Sequence, residues 1–325
     1  MNIASSLNEY YFPYTYTMLF SLFLNNPDEQ FDIFLLTDTL SDHARTSLQD
    51  LASEYRSEIH FLKPDTRLLG SALQGKTEWC LEASFRLTLI DLLPDDVDRV
   101  LYIDGDVAIL NGITELYNMD FENSDLIAGH DLFSCGDRKQ DSLLIHDKAF
   151  ETIISEDSYF NSGIILYNIE KLRRKEMTKC YFESINSLDC PLPYPDQDIL
   201  NYVHHGKVRY FDTMKYNFQS MLAVSYNGGY DSDRVRREVT ILHYIDKKPW
   251  NGGDHIHYDV ENIWWDYALQ TPFAHTLMTD YIRSSMDDHV YNTVMELKQN
   301  NERLQDELKK VSLSVKRLLD NLSDK

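Results

Sequence analysis

The clearest grouping of residues able to do chemistry is Asp104-Gly105-Asp106, inside "RVLYIDGDVAIL" at 99–110. Four apolar residues, Val100–Ile103, lead straight into it, and a second apolar run follows. Two carboxylates at the end of a buried strand cost free energy unless something cationic meets them. On an extended chain residues i and i+2 share a face, so both carboxylates are expected to point the same way. Gly105 between them admits a close approach by backbone or ligand. Hard divalent cations take such oxygen ligands. Asp-x-Asp also occurs at Asp196-Gln197-Asp198 and Asp231-Ser232-Asp233, so the preceding apolar strand, rather than the motif, singles out Asp104 and Asp106.

Three further segments could join them. In "ILHYIDKKPW" (241–250), His243 ends an apolar strand and Lys248 follows five residues later. An imidazole beside two carboxylates suits a first-row transition metal such as Mn2+ better than Ca2+, and Lys248 can act as a point charge for phosphate. In "YFNSGIILYN" (159–168), Gly163 admits close approach and the Asn161 amide can bond hydroxyls. In "YPDQDILNY" (194–202), Asp196 and Gln197 open a helix, where Asp196 alone reads equally as a cap. Neither Gly-x-Gly-x-x-Gly nor a phosphate loop ending in Gly-Lys-Ser/Thr occurs, which disfavours a nicotinamide enzyme or a P-loop kinase. A nucleotide diphosphate held through a metal fits, because the dication separates phosphates from aspartates and stabilises charge on a leaving diphosphate.

Such residues need elements to position them. Strands are expected at 31–38, 58–62, 100–103, 125–131, 162–168 and 239–245, with helices at 41–55, 83–93 and 196–205. This alternation predicts an α/β fold with a mostly parallel sheet, whose ligands sit beyond the carboxyl ends of the strands. Asp104, Asp106, Asp131 and His243 all fall at or near such ends. Composition shifts after about Trp250. A domain is expected over residues 1–255 and a helical extension over 256–289. Over 290–325 a heptad runs Val294, Leu297, Asn301, Leu304, Leu308, Val311, Val315, Leu318, Leu322. Its unbroken three-four spacing fits a coiled-coil seam with Asn301 at an a position, or a long helix packed on its own domain.

The chain has 325 residues, 43% apolar and 26% charged, with a net charge of -22. That balance argues against a nonspecific nucleic-acid binder and disfavours adhesion to anionic membranes. No apolar run approaches the roughly 20 residues of a transmembrane helix. Four cysteines without a close pair, and no signal-peptide pattern, point to a cytoplasmic protein. Residues 290–325 carry seven basic and six acidic side chains, too balanced for strong attachment to anionic lipid, so self-association or a protein partner is expected there.

Taken in order, "SFRLTLIDLLPDDVDRVLYIDGDVAIL", "YFNSGIILYN", "PDQDILNYV", "FDTMKYNF" and "ILHYIDKKPW" resemble the family 8 glycosyltransferases, the retaining group that includes bacterial lipopolysaccharide galactosyltransferases and glycogenin. The likeness spans about Met1 to Trp250. It implies a GT-A nucleotide-binding domain, a UDP-sugar donor and Mn2+. Asp104, Asp106 and His243 would bind the metal and Lys248 the diphosphate. Arg86 would reach the donor sugar or its phosphate. Asn8 and Tyr11 would meet the uridine, and Asn161, Ser162 and Gly163 would line the sugar. Asp196 would bind sugar hydroxyls, Gln197 would lie by the anomeric carbon, and Asp131 would border the acceptor. The sequence departs from the family pattern at Asn8, where an aspartate is usual, and at Tyr244–Lys247, where the gap before Lys-Pro-Trp is shortened and Asp246 stands near a usual glycine.

The expected activity is transfer of galactose or glucose from a UDP-sugar to a hydroxyl of a glycan, glycolipid or glycoprotein. A non-catalytic sugar-nucleotide binder or assembly subunit acting through its C-terminal helix is the alternative. A metal-dependent phosphotransferase or nuclease is a third reading.

Overall fold

A computed structural model describes residues 1–76, 81–132, 158–188, 192–225, 229–245, 248–252 and 259–323. Its main sheet has seven strands: β1 (Asn2–Ser6), β2 (Asp32–Leu36), β3 (Glu58–Leu62), β4 (Arg99–Ile103), β6 (Leu126–His130), β7 (Phe160–Asn168) and β8 (Val208–Tyr210). A smaller sheet holds β5 (Val107–Ile109), β9 (Phe218–Gln219) and β10 (Ile241–His243). The large sheet runs β3-β2-β1-β4-β7-β6-β8, parallel throughout except that β7 is antiparallel to both its neighbours. The expected mostly parallel α/β architecture is therefore present.

Both faces of this sheet are covered, which is why its strands read as nearly unbroken apolar runs. Side chains alternate between two cores. Phe34, Val100, Tyr102, Ile165 and Tyr167 face one; Ile33, Leu101, Ile103, Ile164 and Leu166 face the other. The helix Asp42–Glu54 begins where expected, with Ser41 Oγ accepting from the Ala44 N–H, a cap worth about 1 kcal/mol. Residues 83–93 differ from expectation: Leu81–Thr88 winds as a 3-10 helix and only Leu89–Leu92 is α-helical. Ser84 through Thr88 are all buried, so no single helical face is selected.

The last expected strand also differs. Only Ile241–His243 is extended, and it joins the smaller sheet, antiparallel to β5 and parallel to β9. The chain thus leaves the main sheet at Ile103, turns through Asp104-Gly105-Asp106, and enters the second sheet at Val107. The segment is a turn rather than a continued strand.

Two compact units are present. The first comprises Met1–Pro249 with Tyr258–Phe273; the second comprises Trp250–His257 with Ala274–Lys325. In the second, Ala274–Ser323 is one 50-residue helix. No helix among the described residues is long and apolar enough to cross a membrane.

One buried charge cluster anchors the helix Pro195–His204. Asp125, fully buried at the entry to β6, pairs with Lys171 at 2.8 Å and Lys175 at 2.7 Å. His204, at the end of that helix, lies 3.4 Å from Asp125 and bonds the Tyr181 hydroxyl at 2.7 Å. Burial alone would raise the Asp125 carboxyl, but His204, Lys171 and Lys175 outweigh it and hold it well below the usual range. Asp125→Ala leaves these partners without their anion and is expected to lower unfolding free energy by about 3 kcal/mol in urea titrations near neutral pH. Because the folded carboxyl is depressed, the difference from wild type should shrink as pH falls below about 4.

Candidate active site

The carboxyl ends of β1 and β4, the amino end of antiparallel β7 and the turn into β5 converge on a cleft of about 470 Å³. After β1, Asn8 Oδ1 accepts from the Tyr11 N–H at 3.0 Å, leading the chain into the helix Phe12–Leu24. The Asn8 amide also donates to Glu82 at 3.2 Å. After β4, the Asp104 N–H donates to the Gly163 carbonyl at 2.9 Å, which fixes the turn against β7. A Cβ on Gly105 would lie 2.8 Å from Thr15 Oγ1, so the turn needs glycine to pack on that helix. β10 then sets His243 opposite Val107, next to Asp106.

The carboxylates are arranged asymmetrically. Asp104 Oδ1 accepts from Arg86 at 2.7 Å and Asp106 Oδ2 from Lys248 at 2.5 Å. Asp106 Oδ1 is buried, has no hydrogen-bond partner, and lies 3.3 Å from His243 Nε2. One oxygen each of Asp104 and Asp106 and a ring nitrogen of His243 lie within 4.8 Å of one another. Ligands on opposite sides of one ion are separated by two bonds of about 2.1–2.5 Å, so this spacing accommodates a single cation. A Cβ on Gly163 would fall 2.3 Å from His243 Cε1 and 2.8 Å from Asp104 Oδ2, so the absent side chain leaves room there. The donor set, the orphaned oxygen and the cradle all fit a divalent metal.

The charge balance points the same way. Among the described residues, the lining has five carboxylates (Glu82, Asp104, Asp106, Asp131, Asp196) against Arg86 and Lys248. Burial pushes the Asp104 carboxyl up despite Arg86, and Asp106 adds to the rise. For Asp106, burial acts upward too, but Lys248 and His243 outweigh it and hold the group ionised. Arg86 is itself buried, stacked at 4.3 Å on the Tyr102 ring, and paired with Asp196 at 3.0 Å. Burial opposes its charge, yet Asp104 and Asp196 raise its affinity for the proton well above the ordinary value.

Beside this lies a run of buried amides. Gln197 Oε1 accepts from the Ser162 N–H at 2.9 Å and from Asn161 at 3.2 Å. Its amide nitrogen donates to Asp131 at 2.9 Å and to the Tyr159 hydroxyl at 3.2 Å. The Tyr159 hydroxyl donates to Asp198 at 2.8 Å, and Ser162 donates to Asp196 at 3.0 Å. The helix start that supplies Asp196 and Gln197 has Pro195 in its first turn, where a missing N–H is harmless.

The structure therefore brings together the candidate metal, sugar and uridine residues named from sequence. Asn8, Tyr11, Arg86, Asp104, Asp106, Asp131, Asn161, Ser162, Asp196, Gln197, His243 and Lys248 line the cleft, and Gly163 backs His243. Asp246, Lys247 and the segment 134–148 lie outside the described residues. Sequence reading missed Glu82, Tyr102 and Tyr194 in the lining, and gave no role to Tyr159 or Asn217. Tyr159 carried a signal, being a tyrosine at the head of a buried strand, where its hydroxyl needs a partner.

This fold, with its switch from one sheet to another at the carboxyl end of β4, is the GT-A fold of glycosyltransferases. It superposes on the crystal structure of galactosyltransferase LgtC, solved in complex with donor and acceptor sugar analogs, with a TM-score of 0.67 and 23% identity over 84% of this chain and 96% of that one. Residues 2–253 match the profile of Glycosyl transferase family 8, and the chain belongs to that family. It is 26% identical over 263 residues to a lipopolysaccharide 1,2-glucosyltransferase of Escherichia coli, covering 77% of this chain and 73% of that protein. It is also 26% identical over 267 residues to a lipopolysaccharide 1,3-galactosyltransferase of Salmonella typhimurium, covering 81% and 76%.

Gly163→Ala tests the cradle. The added methyl is expected to weaken Mn2+ binding roughly 10-fold or more, read from the free-ion electron paramagnetic resonance signal. Unchanged affinity in a folded variant would remove Gly163 from the account.

Proposed function

We propose that this glycosyltransferase is a retaining, Mn2+-dependent enzyme that moves galactose or glucose from a UDP-sugar to a hydroxyl of a glycan, glycolipid or glycoprotein. The observation that carries the reading is the buried, partnerless oxygen of Asp106 beside His243 in a cleft already rich in carboxylates. Such a cleft accepts a pyrophosphate only with added positive charge. The glucosyltransferase and galactosyltransferase relatives support glucose or galactose as the sugar.

A divalent cation held by Asp104, Asp106 and His243 would neutralise the pyrophosphate and stabilise charge on departing UDP. Lys248 holds Asp106 ionised and stands ready to share its charge with a phosphate. Arg86 acts by orienting Asp104 and Asp196, since its guanidinium also donates to the Ser162 carbonyl at 2.5 Å. Asp196, Asn161 and Ser162 hold sugar hydroxyls, and Asn8 and Tyr11 bound the uridine end. As the anomeric C–O bond breaks, its electron pair goes to the phosphate oxygen. The acceptor hydroxyl attacks from the same face and gives its proton to that oxygen. Gln197, tied at both ends of its amide, presents a fixed dipole to the cationic carbon and does not form a bond to it.

The long helix serves self-association in this reading. Leu297, Leu304, Leu308 and Val311 are 63%, 53%, 68% and 59% exposed on a heptad seam. Asn301 at an a position is best matched by its own counterpart in a second copy.

Two measurements test these statements. A panel of UDP-sugars should give Mn2+-dependent UDP release from UDP-galactose or UDP-glucose, abolished by EDTA, with the product anomer retained by NMR. Asp106→Asn should lower turnover about 100-fold. Full activity in EDTA, or an inverted product, would overturn the mechanism. Light scattering of the full chain should report twice the chain mass, falling to one chain in Leu304→Glu/Leu308→Glu; a monomeric wild type would exclude the dimer.

A further inference from the structure

Asn217 does not line the cleft and is fully buried behind it. It caps the short helix Thr213–Tyr216 and precedes β9, whose pairing with β10 lays it against His243. Its Oδ1 lies 2.8 Å from His243 Nδ1, and its amide nitrogen lies 2.9 Å from Asn161 Oδ1.

The directions of these bonds follow from the backbone. The Gly163 N–H can only donate, and it meets Asn161 Oδ1 at 3.0 Å. That atom is therefore the Asn161 oxygen. The Ser162 N–H likewise fixes Gln197 Oε1 as an oxygen, which agrees with the Asn161 nitrogen donating to it. The Asn217 atom facing the Asn161 oxygen must then be its nitrogen, and the atom facing His243 its oxygen. An amide oxygen accepts only, so His243 Nδ1 carries the proton. In the neutral ring that metal ligation requires, Nε2 then carries the lone pair, and it lies 3.3 Å from Asp106 Oδ1.

We infer that Asn217 is a positioning residue: it locks His243 in the Nδ1–H tautomer, leaves Nε2 as the metal-ligating atom, and ties that ligand through Asn161 to Gln197. The inference deepens the metal-site reading and rests on it. Partners of this kind around a ligating histidine fix its tautomer and ring orientation, and losing one costs 10–100-fold in metal affinity.

The test reads the tautomer directly. Long-range proton–nitrogen NMR on histidine-labelled, metal-free protein at alkaline pH, with the His243 signal assigned by its loss in His243→Gln, is expected to show Nδ1–H. Asn217→Ala should release the tautomer and weaken Mn2+ binding roughly 10–100-fold. Asn217→Asp keeps an acceptor for His243 but cannot donate to Asn161. It should retain the Nδ1–H signature and bind Mn2+ within about 3-fold of wild type. An Nε2–H signature in wild type overturns the inference even if Asn217→Ala fails to fold. So does wild-type Mn2+ affinity in folded Asn217→Ala. Loss of sugar transfer with the Nδ1–H signature and Mn2+ binding intact would fault the proposed reaction and leave this inference standing.

Discussion

Everything at this site is arranged around the repulsion of two carboxylates at the end of one strand. Two such charges about 4 Å apart repel by roughly 4 kcal/mol at the effective dielectric of a protein surface, and burial raises the cost of each. The chain answers with one cation per carboxylate, Arg86 on Asp104 and Lys248 on Asp106. Arg86 takes Asp104 Oδ1 and Lys248 takes Asp106 Oδ2, while His243 Nε2 lies 3.3 Å from Asp106 Oδ1. Among the described residues of the lining, five carboxylates still outnumber these two cations, which is the balance a site needs if it is to hold a dication and then an anionic diphosphate.

The folding topology makes this arrangement possible. Asp104 and Asp106 lie between two sheets, and the second sheet returns the chain at β10 with His243 opposite Val107. Lys248 follows five residues later, and its ammonium donates to the Tyr244 carbonyl at 2.6 Å. β7 runs antiparallel to β4, so its first residues, rather than its last, meet the carboxyl end of β4. That reversal is what delivers Asn161, Ser162 and Gly163 to the cleft. The cluster around Asp125 and His204 then holds the far end of the helix whose first turn supplies Asp196 and Gln197. Among the described residues, seven segments meet because sheet order and strand direction bring their ends to one edge.

Much of this was legible in the sequence, and the reasons differ by element. The apolar run before Asp104, the Ser41 cap and the motif around Asn161 are local signals, and each appears where expected. The first strand and first helix were not singled out. Asn2–Ser6 is short with polar ends, and Phe12–Leu24 is buried at nine of its residues, which hides the helical stripe. The second sheet was also hidden, because β5, β9 and β10 are three, two and three residues long. Asn217 could not be assigned from sequence at all. Its role depends on the register of β9 with β10, a long-range fact that no local pattern records.

The residues between the Asp104, Asp106 and His243 group and Asp131 are mostly amides, and charge explains the choice. Among the described residues five carboxylates already face the cleft, so another anion would deepen the repulsion and another cation would compete with a metal held there. An amide positions its neighbours through one donor end and one acceptor end while adding no net charge. It is also costly to leave unsatisfied when buried, so a complete chain of amides resists rotation at every link. Gln197 is the case where this bears on reactivity. Its oxygen accepts from Ser162 and Asn161, and its nitrogen donates to Asp131 and Tyr159. Swinging that oxygen to bond a carbon would break two hydrogen bonds and pull the amide nitrogen away from Asp131 and Tyr159. A fixed dipole that favours positive charge beside it is the role these bonds leave open.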